Sequence, residues 1–142
     1  MDGLATGQCL CGAVSFRVTG EFESFFLCHC SRCRKDSGSA HAANLFSSTA
    51  QLAWLSGEDA VSEFRLPGSR HVKCFCSNCG SALPVAPADE GLLLVPAGSL
   101  DSPIPIRPDA HIFVSDRADW DDDLASLARF EGLPGADARS GE

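Results

Sequence analysis

The 142-residue chain is short of positive charge, of long apolar runs and of internal repetition. Lysine and arginine number 11 against 19 acids, for a formal net charge of −8. Nucleic acid and anionic membrane surfaces both reward a basic face, so neither is expected as a partner. No apolar stretch approaches the roughly 20 residues that a membrane span needs. The opening MDGLATGQCL has neither a basic start nor an apolar stretch of signal-peptide length. A cytosolic location is therefore the expectation. With no repeat and no linker, one domain over residues 7–134 is expected, between a loose end at 1–6 and a flexible tail at 135–142.

What the chain has in quantity is cysteine, eight residues in all. They fall as Cys9/Cys11, Cys28/Cys30/Cys33 and Cys74/Cys76/Cys79. A disulfide framework suits them poorly. In an extended C-x-C pair the Cα atoms lie about 6.6 Å apart with both side chains on one face. Such pairs suit a shared metal, as does the C-x-x-C at Cys76–Cys79.

Between the cysteines the pattern is of short strands. In GAVSFRVT, Val14, Phe16 and Val18 alternate with Ser15, Arg17 and Thr19. Further strands are expected at 22–27, 40–46, 51–55, 61–66, 71–75, 82–85, 92–98 and 111–114, separated by turn residues such as Ser56-Gly57, the polar ADEG at 88–91 and Pro67-Gly68-Ser69. In DWDDDLASLARF, Trp120, Leu124 and Leu127 follow helical spacing and acids come early, so a short C-terminal amphipathic helix is expected there. Asp119 and Asp121 to Asp123 then read as a solvated helix start. The fold class is mainly β, built of antiparallel strands.

The cysteines divide into two sites. SNCGS after Cys76 reads as a zinc knuckle, with Gly80 permitting the tight turn. Cys76 and Cys79 with Cys9 and Cys11, on one face of an extended segment, would form a closed site of four thiolates. Cys28, Cys30 and Cys33 are left as a second site. His29 is a poor fourth ligand, since in an extended C-H-C it points away from both cysteines. Cys74 can be read either as a fourth thiolate or as a buried core thiol.

Several blocks together resemble the family of glutathione-dependent formaldehyde-activating enzymes, which shares a domain with the centromere protein V group. They are GQCLCGAVSF, CHCSRCRKDSGS, Trp54-Leu55-Ser56-Gly57-Glu58, FCSNCGS, VPAGSLD, His111-Ile112-Phe113-Val114 and Trp120. The resemblance implies a β-tent of small antiparallel sheets stapled by zinc. It implies two zinc ions per chain: a structural one on Cys9, Cys11, Cys76 and Cys79, and a catalytic one on Cys28, Cys30 and Cys33 with no fourth protein ligand. It also implies a carbon–sulfur lyase that reversibly condenses formaldehyde with glutathione to S-hydroxymethylglutathione, or acts on a related thiol–aldehyde adduct. Cys74 has no counterpart in that pattern.

Around the open site, Arg34 and Lys35, with Arg32 nearby, are candidate handles for glutathione's carboxylates or members of a solvated loop. Ser37 and Gly38 could offer hydroxyl and backbone N–H donors. His111 is the candidate proton-handling group. A different class stays open: a zinc-stabilised binding or scaffold module without turnover.

Overall fold

The computed structural model describes residues 3–87 and 91–135. Among the described residues, ten strands form three small sheets. In the first, β1 (Leu4–Gln8) pairs with β2 (Ser15–Thr19), which pairs with β5 (Gln51–Ser56). The second has four strands in the order β10 (Ala110–Ile112), β3 (Ser24–Cys28), β4 (Ala42–Ser47) and β9 (Leu93–Pro96). The third joins β6 (Val61–Arg65), β7 (Val72–Cys76) and β8 (Ala82–Leu83). Every pairing is antiparallel except β10 with β3, which is parallel. The expectation of a mainly β fold of small antiparallel sheets holds.

The core forms where the inward faces of these strands meet. Val14, Phe16 and Val18 are fully buried, as their alternation requires, and join Leu45, Leu83, Leu93 and Val95. Phe16 meets Trp54 edge to face at 6.1 Å between ring centroids, a favoured geometry for aromatic quadrupoles. Burying side chains of this size contributes about 1.5–3 kcal/mol each.

Two expectations need correction. The segment expected as a loose end contributes to β1, because pairing with β2 satisfies its backbone and places Ala5 in the core. Among the described residues the one α-helix is not C-terminal; it is α1 (Ser31–Ser37), within the second cysteine cluster. The stretch 119–130 forms a single 3-10 turn at Leu124–Ser126. Its apolar residues Trp120, Leu124 and Leu127 stay exposed, so no packed face supports a helix, and a 12-residue helix without packing is marginal in water. Asp123, at φ 52°, also interrupts the helical path. Most of the expected tail, and most of the expected turn at 88–91, lie outside the described residues.

Candidate metal centres and the adjoining cleft

Two turns build the first cluster. Gly12, at φ 83°, lets the chain fold back so that its N–H donates to the Cys9 carbonyl and the Val14 N–H points at Cys9 Sγ, 3.3 Å away. Cys9 and Cys11 thus lie on a turn, not on the extended segment expected of them. The knuckle after β7 repeats the device. Gly80, at φ 79°, donates to the Cys76 carbonyl, and the Asn78 N–H points at Cys76 Sγ at 3.4 Å. The sulfurs of Cys9, Cys11, Cys76 and Cys79 all lie within 4.8 Å of one another, and all are free thiols. The Ser81 hydroxyl beside Cys79, with neighbouring backbone N–H groups, pulls that thiol's pKa down to about 6. Thiolate donors at this spacing fit zinc.

The second cluster is local. β3 delivers Cys28, and Cys30 caps α1, its sulfur receiving the Cys33 N–H at 3.4 Å. That N–H holds the Cys30 pKa below the ordinary thiol value although burial pushes it up, while burial raises Cys28 and Cys33. The three sulfurs lie within 4.8 Å of one another, a soft donor set that also fits zinc. Gly38, at φ 65°, closes the helix by donating to the Arg34 carbonyl.

These three cysteines open onto a cleft of about 840 Å³. One face of the four-stranded sheet lines it, and the register orders its side chains in rows. Ile112, Cys28 and Ala42 form the first row, Phe26, Asn44 and Pro96 the second, and Phe46 with Leu94 the third. The lining also includes Arg32 of α1, Arg70 and His71 just before β7, and Lys73 of β7. Asp36 on α1 holds two of these, at 2.7 Å from His71 Nε2 and 3.4 Å from Lys73 Nζ. Cys74 also lines the cleft, buried and paired with Leu83 and Glu63 across its sheet, but it is outside the three-sulfur group. Burial raises its pKa to about 11, so it is a neutral thiol.

The other expected residues are placed differently. Arg34, Lys35 and Gly38 line a separate depression of about 220 Å³ beside Trp120, and Arg34 donates to the Asp116 carbonyl. Ser37 reaches the cleft, but its hydroxyl donates to the Cys33 and His41 carbonyls. His111 is outside the cleft lining and bonds His29 Nε2 at 2.8 Å. His29 is buried and outside the three-sulfur group, with Asp121 Oδ2 3.1 Å from its Nδ1 but making no hydrogen bond to it. Asp121 is therefore not a purely solvated acid. His41 lines the cleft and lies 5.1 Å from the His29 ring. Burial first, then the neighbouring His29 and His111, lowers its pKa, so the ring is neutral near pH 7.

Sequence reasoning missed His41, Arg70, His71, Lys73 and Phe113. No local pattern marks the first four, because long-range register brings them together. Phe113 carries a signal only in the backbone: at φ 56° it occupies a region that costs a bulky residue about 1–2 kcal/mol, and its ring lies at the cleft.

The family model described as "Glutathione-dependent formaldehyde-activating enzyme" matches residues 4–116. A Halomonas elongata protein named "Putative glutathione-dependent formaldehyde-activating enzyme" is 35% identical over 127 residues, covering 82% of this chain and 79% of that one. A crystal structure of a Rhodobacter sphaeroides protein, 24% identical, superposes with a TM-score of 0.52 over 75% of this chain and 98% of that one, which supports the fold alone. The two cysteine clusters thus sit in a sequence and fold of one kind, and the chain belongs to the glutathione-dependent formaldehyde-activating enzyme family.

Proposed function

We propose that the protein is a zinc-dependent carbon–sulfur lyase that reversibly joins formaldehyde, or a related aldehyde, to the thiol of glutathione. The observation that carries this is a group of only three sulfurs, Cys28, Cys30 and Cys33, facing a cleft large enough for a tripeptide. Three protein ligands leave a coordination position for a substrate, whereas the four-sulfur cluster is complete and structural. Zinc bound at the open site supplies charge that favours a substrate thiolate and polarises a carbonyl.

The chain's own residues do the rest. Arg32, Arg70 and Lys73 give the cleft positive charge within an acidic protein and attract glutathione's carboxylates. Asp36 fixes the direction of Lys73 and His71. Ser37 ties the end of α1 to the carbonyl of His41 and so holds the cysteine-bearing helix against the sheet. The neutral His41 ring in the cleft can accept the proton that the thiol loses and return it to the aldehyde oxygen. One C–S bond forms, the carbonyl π pair moves to oxygen, and the proton balances it, with no redox change. Cysteines kept as zinc-binding thiolates suit a reducing compartment such as the cytosol.

Exchange spectroscopy of formaldehyde with glutathione tests the reading. The zinc-loaded protein should speed exchange well beyond the same concentration of free zinc. An enhancement no greater than that of free zinc would favour a binding module instead.

A further inference from the structure

The cleft is larger and more apolar than a one-carbon aldehyde needs. Its sheet floor starts at the Ile112–Cys28–Ala42 row and ends at Phe46 and Leu94. Phe46 is four residues along β4 from Ala42, about 13 Å of extended chain. A substituent on a sulfur held near Cys28 must therefore be several atoms long to cover the third row. Phe26 and Phe46, 6.2 Å apart between ring centroids, make a continuous aromatic surface on the way. The cations come from elements outside that sheet: Arg32 from α1, Lys73 from β7 and Arg70 from the turn just before β7. A charged tripeptide gains nothing from aromatic rings at that distance from its thiol, and an apolar chain gains nothing from Arg32 or Arg70. The two groups of lining residues thus suit two different parts of one ligand.

We infer that the cleft takes glutathione adducts of apolar aldehydes several carbons long, with the peptide carboxylates on the Arg32–Arg70–Lys73 side and the aldehyde's chain on the Phe26–Phe46–Leu94 floor. The inference rests on the thiol–aldehyde reading above and names its substrate class. The reaction is unchanged: the thiolate adds to the carbonyl carbon, and the resulting alkoxide takes the thiol's proton.

Calorimetric titration of the zinc-loaded protein with S-methylglutathione and S-hexylglutathione tests the floor without requiring turnover. Burial of the added methylenes should make the hexyl ligand bind roughly tenfold tighter or more. Leu94→Thr, a strand-compatible change at a half-buried position, should reduce that ratio, and Arg70→Ala should weaken both ligands by one factor. Equal affinity of the two ligands for the unmutated protein overturns the inference, whatever the variants do. A second measurement compares glutathione addition to formaldehyde and to hexanal. Preserved hexyl selectivity, with neither aldehyde reacting faster than with free zinc, would defeat the lyase reading and leave the apolar floor standing. Faster turnover of hexanal than of formaldehyde supports both, and a preference for formaldehyde overturns the inference while leaving the lyase reading intact.

Discussion

The two cysteine clusters use the same sulfur chemistry and differ in what they connect. The four-sulfur group joins Cys11 to Cys76, 65 residues apart, and so ties the first sheet to the third. The three-sulfur group spans only residues 28–33, between a strand end and a seven-residue helix. Closing a long loop removes conformational freedom from the unfolded chain, while bridging six consecutive residues removes little. On the proposed reading, the first cluster holds the fold and the second serves the cleft.

The largest test of this contrast is Cys76→Ser. Structural zinc contributes on the order of 10–16 kcal/mol of apparent binding energy, against a net domain stability of about 5–15 kcal/mol. The variant should fail to fold, read as loss of the cooperative thermal transition together with loss of zinc. A folded variant retaining two zinc ions would break the comparison from the structural side.

Cys33→Ser should act oppositely. It should lose one zinc equivalent and the formaldehyde–glutathione activity, while stability changes by no more than about 1–2 kcal/mol. Elemental analysis beside a denaturant melt reads both. A collapse of stability comparable to that of Cys76→Ser would mean that the second cluster, too, is structural.

The strands were legible because alternation is local: Val14, Phe16 and Val18 announce a buried face within five residues. The closed four-cysteine group was legible because C-x-C and knuckle spacings are local as well, whereas spacing left Cys74 open between a ligand and a core thiol. α1 was not, since it buries no residue and so leaves no helical period in the sequence. DWDDDLASLARF shows the converse, a helical period with no surface to pack against. The cleft was the least legible part. Lys73 on β7 and Arg70 just before it reach the cleft from a segment distant in sequence from the cysteines, and three of the four histidines converge from β10, from the approach to β4 and from between two cysteines. Arg34 and Lys35, adjacent in sequence to the right cysteines, turn to another face of the short helix.

A smaller effect separates the clusters by their surroundings. The three-sulfur group is backed by imidazoles, and His41 has a pKa lowered first by burial and then by His29 and His111, with Asp121 opposing. In the unfolded chain the ring protonates near its ordinary value of 6.5, and in the folded chain only at lower pH. Between those values the unfolded state binds the extra proton. The stability is thus full above about 6.5 and is lost as pH falls through the folded pKa. His41→Gln should show a shallower loss than the parent between pH 7.5 and 5.5 in denaturant melts with zinc in excess. Identical slopes would place His41 in a solvated setting.

The smallest effect is expected at Cys74, the one sulfur that belongs to neither cluster. It lines the cleft, so a shift toward the three-sulfur group would complete a second closed site and erase the distinction between the two. Its neighbours argue against that. It is buried at 8% exposure against Leu83, with a pKa raised to about 11 by that burial, and a thiol so placed packs as a small hydrophobe. Cys74→Ala should therefore cost about 1 kcal/mol of stability. Zinc content should stay at two per chain and the formaldehyde–glutathione exchange rate should be unchanged. Release of one zinc by this substitution would show that the vacancy beside Cys28, Cys30 and Cys33 is filled by the protein itself, and the open-site reading would fall with it.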